Sequence, residues 1–125
     1  MIYITGDTHR WFERVTKLCR ISESTKDDIL VILGDVGINY FGGSDDQELK
    51  NYLSELPITL FCIHGNHEQR PESIGGYKET EWHNGLVYWE PDFPNLLFAK
   101  DGENIKLPRK NGLYLSGCFL YAFLF

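Results

Sequence analysis

The sequence predicts an α/β fold, a largely parallel sheet with strands flanked by helices and with functional groups at the carboxyl ends of the strands. Three observations carry that expectation. Three short apolar runs in the first half, residues 1–5, 29–33 and 58–63, are continuous rather than alternating, as in strands buried on both faces. Stretches with helical spacing separate them. Each run ends in a glycine-bearing polar loop, and Asp7, Asp35 and Asn66 in those loops lie 28 and 31 residues apart, the length of a strand, a crossover helix and a return.

Taken in order, residues 11–20 place Trp11, Phe12, Val15, Leu18 and Cys19 at helical spacing, which predicts an amphipathic crossover helix after the first strand. Residues 45–56 repeat the pattern with Leu49, Tyr52, Leu53 and Leu56, and Pro57 closes that helix where the third strand begins. Asp45, Asp46 and Glu48 fall near its start, where the helix dipole favours anions. Beyond Glu68 the texture changes. Gly75-Gly76, Asn84-Gly85, Asp101-Gly102 and Asn111-Gly112 punctuate the runs 86–89, 96–99, 105–107 and 113–116, a meander of short mixed or antiparallel strands expected to extend a second layer or sheet. Tyr77, Trp82, Tyr88 and Trp89 sit at strand spacing and are expected in the core or in cross-strand pairs rather than on a base-stacking platform. The apolar run 118–125 reads as a core strand.

Composition bounds the function. With 125 residues, 42% hydrophobic and 24% charged, the chain is one packed domain rather than a disordered tail or a coiled coil. Twelve basic against eighteen acidic residues leave no basic surface for counterion release, so strong nonspecific nucleic-acid binding is not expected. Phosphorylated substrates remain open, because two bound divalent cations would outweigh the global field at one spot. Cys19, Cys62 and Cys118 are odd in number and have no Cys-x-x-Cys spacing, which argues against a disulfide framework. The first residues lack a basic start followed by an apolar region, and the longest apolar stretch falls well short of the roughly 20 residues of a membrane helix. A cytoplasmic location without a membrane partner is expected. Gly42-Gly43-Ser44 lacks the Gly-x-x-x-x-Gly-Lys pattern, which leaves a P-loop nucleotide hydrolase unsupported.

The chemistry converges on the loops Gly6-Asp7-Thr8-His9, Gly34-Asp35-Val36-Gly37 and Gly65-Asn66-His67-Glu68. Parallel strands bring all three to one sheet edge, which gathers Asp7, His9, Asp35, Asn66 and His67 into one crevice. An Asp and a His two residues apart offer a hard oxygen and a borderline nitrogen to one ion. A second carboxylate from the next loop can bridge to another ion, and Asn66 adds an amide oxygen. Oxygen and imidazole donors without thiolate suit Mn²⁺, Fe or Zn²⁺. Two such ions about 3.5–4 Å apart clamp a phosphoryl group, and His67 beside them can protonate the leaving oxygen. An isolated Asp after a strand is as readily a helix cap or turn residue; three loops in register point to metal instead. His64 is expected in the core and His83 in a surface turn, while Arg10 and Arg70 fit either substrate phosphate or solvent.

Together the three motifs resemble those of the calcineurin-like metallophosphoesterase family. The resemblance covers residues 7–68 and implies a double-sheet α/β sandwich with a dinuclear metal centre that hydrolyses phosphomonoesters or phosphodiesters. It implies that Asp7 and His9 bind the first metal, Asp35 bridges both, Asn66 binds the second, and His67 acts as acid or phosphate-stabilising group. The substrate would be a phosphorylated small molecule or nucleotide. Family members add metal-binding histidines from later Gly-His and Gly-His-x-His motifs, whereas no histidine here follows His83. The first metal keeps Asp7, His9 and Asp35; the second keeps Asp35 and Asn66 and is expected to bind weakly. Residues 1–125 are therefore expected to form a metallophosphoesterase domain shortened at its C-terminal end, with self-association through the strand at 118–125. The alternative is a catalytically impaired remnant that acts by binding or by association with another chain.

Overall fold

Runs of Ile, Leu and Val too short for a stable helix and bounded by glycine loops make the centre of a sheet. The computed structural model describes residues 1–107 and the backbone of 113–116, so the run at 118–125, with Cys118, lies outside the described residues. β1 (Ile2–Thr5), β2 (Ile29–Leu33) and β3 (Thr59–Ile63) pair in parallel, with Ile29 opposite both Ile2 and Thr59. The crossovers are α1 (Glu13–Ser22) and α2 (Ser44–Ser54). α1 begins two residues later than the apolar spacing predicts. His9 and Arg10 have left-handed backbones and the Trp11 amide donates to the Thr8 carbonyl, which keeps 8–11 in a turn. The helix runs to Ser22, where left-handed Glu23 donates its amide to the Cys19 carbonyl.

The second half corrects one expectation. β4 (Lys78–Trp82), β5 (Gly85–Trp89) and β6 (Leu96–Ala99) lengthen the first sheet, giving six strands in the order β1-β2-β3-β6-β5-β4. Among the described residues, β7 (Asn104–Leu107) and β8 (Leu113–Ser116) form a separate antiparallel pair. The reason lies in β6: Leu96, Leu97 and Phe98 are apolar on both faces, and that run fits beside β3, which it joins in parallel. β4 was not expected as a strand, because its Lys-Glu-Thr-Glu-Trp sequence lacks an apolar run; it is a charged edge, well suited to discourage further pairing. A two-residue turn with positive φ at His83 and Asn84 joins it to β5, the backbone of the favoured tight hairpin.

The period-two alternation of β2 explains its unbroken hydrophobicity. Leu30 and Ile32 face the helices and pack with Phe12, Val15, Cys19 and Leu53. Ile29 and Val31 face the other way, where Phe61, Val87 and Leu97 meet Ile105 and Leu107 of β7. Each fully buried Leu, Ile or Phe contributes about 1.5–3 kcal/mol. The expected core aromatics are found there: Trp82 packs on Phe61 at 5.0 Å and Tyr77 meets Phe98 edge-on at 5.7 Å. Cys19 and Cys62 are buried free thiols. No helix among the described residues is long and apolar enough to cross a membrane.

Candidate metal centre

Parallel pairing of β1, β2 and β3 leaves their carboxyl ends side by side, and backbone bonds then knit the three loops together. The His9 and Arg10 amides donate to the carbonyls of Asp35 (2.9 Å) and Val36 (3.0 Å), and the Thr8 hydroxyl also donates to Val36 (2.9 Å). His9, Arg10 and Asp35 have φ of 46°, 69° and 38°, a left-handed region that costs non-glycine residues of order 1–3 kcal/mol each and that surrounding contacts must hold. The third loop comes so near the second that a Cβ on Gly65 would lie 2.0 Å from Asp35 Oδ1. Only glycine permits that approach.

Glu68 closes the arrangement. Its Oε1 accepts the Gly65 amide at 3.0 Å and the Val36 amide at 3.4 Å, and Oε2 accepts the Gly37 amide at 2.8 Å. Burial pushes its carboxyl above the ordinary carboxylate value, against the pull of those three amides. Glu68 ends the Gly65-Asn66-His67-Glu68 motif, and its place two residues past an expected ligand is the sequence signal for this role.

The result places Asp7, His9 and Asp35 together: one donor atom from each lies within 4.8 Å of the others. His9 Nε2 and Asp7 Oδ2 are 3.4 Å apart. Ligand bonds of about 2.0–2.2 Å at tetrahedral angles separate donors by about 3.3–3.6 Å, so Asp7 and His9 already have the spacing for a divalent ion and the widest pair of the group must close by no more than about 1.5 Å. Two carboxylates and an imidazole suit a borderline divalent ion. Asp7 and His9 are exposed, while Asp35 is 9% exposed. His67 joins His9, Arg10, Asp35, Gly37 and Tyr40 in lining a cavity of about 350 Å³, its ring 6.4 Å from that of His9. Asn66 lies exposed on the same loop and is not among the described residues lining that cavity.

The remaining candidates fall elsewhere. Arg10 lines the same cavity but is tied to the protein: its guanidinium donates to the Gly37 carbonyl (2.8 Å), Asp46 Oδ1 (2.6 Å) and the Asp45 carbonyl (3.2 Å), and lies 4.7 Å over the Phe41 ring. Arg70 pairs with Glu72 and Asp101. His64 is buried, 3.6 Å from Asp101, and His83 sits in the β4–β5 turn against Trp82, where burial holds its pKa below the ordinary histidine value.

A search of curated proteins finds no significant match. Among solved structures, a protein of unknown function from Aquifex aeolicus aligns at 19% identity and a TM-score of 0.36, over 72% of this chain and 59% of that one. This chain thus spans less than two-thirds of the length of that protein. The profile of the calcineurin-like phosphoesterases matches residues 1–119, and the chain belongs to that family.

Proposed function

We propose that the chain is a metal-dependent phosphoesterase that cleaves a phosphomonoester or phosphodiester of a small molecule or nucleotide, within a double-sheet sandwich. Membership of a family of metal-dependent phosphoester hydrolases supports the class. The observation that carries the reading for this chain is the Asp7, His9 and Asp35 group at the carboxyl ends of β1 and β2, next to His67.

When bound, divalent ions supply Lewis acidity to the phosphoryl oxygens and a water acidic enough to attack near neutral pH. Asp7, His9 and Asp35 would hold the first ion, with Asp35 and Asn66 left for a weaker second one. Mn²⁺, Fe or Zn²⁺ fits these donors. His67, across the cavity from His9, donates a proton to the leaving oxygen. The Arg10 guanidinium commits three of its N–H groups to Gly37, Asp45 and Asp46, so its first role is to hold the loop after β2. A cytoplasmic location belongs to the same reading, supported by the two buried free thiols. Self-association through residues 118–125 is tested by sedimentation across micromolar concentrations, where a monomer throughout refutes it.

The test is hydrolysis of generic phosphomonoesters and phosphodiesters with added Mn²⁺, beside Asp35→Ala purified identically. Loss of turnover in the variant supports the assignment; equal turnover in both proteins refutes it. A second reading, a catalytically impaired member acting by binding, rests on the single donor group, Asp7, His9 and Asp35, found among the described residues. It is the outcome if the folded wild type turns over neither substrate class.

A further inference from the structure

The loop between β2 and α2 carries two large exposed aromatic side chains, Tyr40 at 52% and Phe41 at 60% exposure. It is pinned along its length. Glu68 and Arg10 hold Gly37; the Gln69 amide donates to the Asn39 carbonyl at 2.8 Å, and the Asn39 side chain donates to the Tyr77 hydroxyl at 2.8 Å. Asp46, 3% exposed, accepts the amides of Phe41 at 3.3 Å and Gly42 at 2.7 Å. Arg10 stacks on Phe41, and Phe41 meets the Tyr40 ring edge-on, centroids 4.9 Å apart at 86°. Tyr40 is therefore an exposed ring carried on a pinned loop and set against the edge of Phe41, and such pre-organisation lowers the cost of stacking a ligand on it.

Tyr40 also lines the cavity of the metal centre. Of the six described residues that line it, His9, Asp35 and His67 are assigned to the ion and the leaving oxygen, Arg10 is tied to Gly37, Asp45 and Asp46, and Gly37 has no side chain. Tyr40 remains to meet the group beyond the phosphorus. The cavity, about 350 Å³, is at the small end of the range of about 300–1,000 Å³ for small-ligand sites.

We propose that Tyr40 determines specificity, stacking on the leaving group so that the site favours phosphoesters bearing a flat aromatic ring over aliphatic ones. This rests on the phosphoesterase reading for the position of the phosphorus. Aryl and nucleoside leaving groups share the chemistry, and the experiment separates them. Dissociation constants of phenyl phosphate, adenosine 5′-monophosphate and glycerol 3-phosphate are measured by calorimetry, with and without Mn²⁺, for wild type, Tyr40→Ala and Tyr40→Phe.

The expected result is a loss of about tenfold for the two aromatic ligands in Tyr40→Ala, within the range of base–aromatic stacking, with glycerol 3-phosphate changed less than twofold and Tyr40→Phe like wild type. Tighter binding of adenosine 5′-monophosphate identifies a nucleoside leaving group; tighter phenyl phosphate identifies an aryl one. Equal losses for all three ligands, unchanged binding in Tyr40→Ala, or no binding of either aromatic ligand by wild type overturns the proposal. Discrimination in binding without turnover overturns only the phosphoesterase reading, while turnover without discrimination overturns only the role of Tyr40.

Discussion

The peptide N–H of His67 donates to Oδ1 of Asp35 across 3.0 Å, so the loop after β3 grips the carboxylate supplied by the loop after β2. The grip depends on Gly65, whose absent side chain leaves room for that same oxygen. Gly65→Ala must displace the Asp35 carboxylate or the loop that grips it. Mn²⁺ affinity, read by calorimetry, is expected to fall 10–100-fold, as for other changes that misplace a ligand through its support. Unchanged affinity in the variant would show that Gly65 does not position Asp35 for the ion.

A bound ion stabilises the fold by linkage. Mn²⁺ at about 100 times its dissociation constant contributes about 2.7 kcal/mol, seen as a higher thermal midpoint that a chelator reverses. Asp7→Ala is expected to abolish this increase. If the variant keeps the whole increase, Mn²⁺ binds elsewhere.

Asp46 makes the Arg10 clamp sensitive to acid. Burial opposes its ionisation, yet the Gly42 amide, the Arg10 guanidinium and the amides of Phe41 and Tyr40 outweigh it and hold the carboxyl below its ordinary 3.8. A depressed value stabilises the fold above pH 3.8 and loses that contribution as pH falls through the folded-state value. Asp46→Asn is expected to cost about 1–3 kcal/mol at pH 7 in urea unfolding, with the gap to wild type closing below pH 3.8. A gap independent of pH would assign the loss to packing alone.

Lys50 of α2 is 2% exposed and reaches Glu90 at 2.5 Å, its ammonium 5.0 Å from the centre of the Tyr77 ring. Lys50→Met strands Glu90 and is expected to cost about 3–5 kcal/mol, most of it recovered by adding Glu90→Leu. Chemical denaturation of the single and double variants checks this; a single variant as stable as wild type contradicts it.

Much of the fold was legible because its signals are local. The run 29–33 coincides with β2, and the runs 96–99 and 113–116 coincide with β6 and β8. What misled was assignment to layers: nothing within 86–89 or 96–99 states which sheet they join, and a strand as charged as Lys78–Trp82 carries no apolar run to read. Asp7, His9 and Asp35 were legible as a group because loops after parallel strands share an edge. Arg10 was not, because its choice between phosphate and Asp46 is made by a residue 36 positions away.

The three-strand parallel centre, its crossovers and the edge at which the site forms are written in the chain itself, since strand length, helical spacing and glycine placement act over a few residues. How the loops are held is set in three dimensions. Left-handed backbone at His9, Arg10 and Asp35, one Glu68 carboxylate serving amides of two loops, and the rigid presentation of Tyr40 all depend on partners roughly 30 residues apart in the chain. Such contacts exist only after folding closes the intervening loops, and their balance of burial, hydrogen bonding and strain is set by what lies opposite in space.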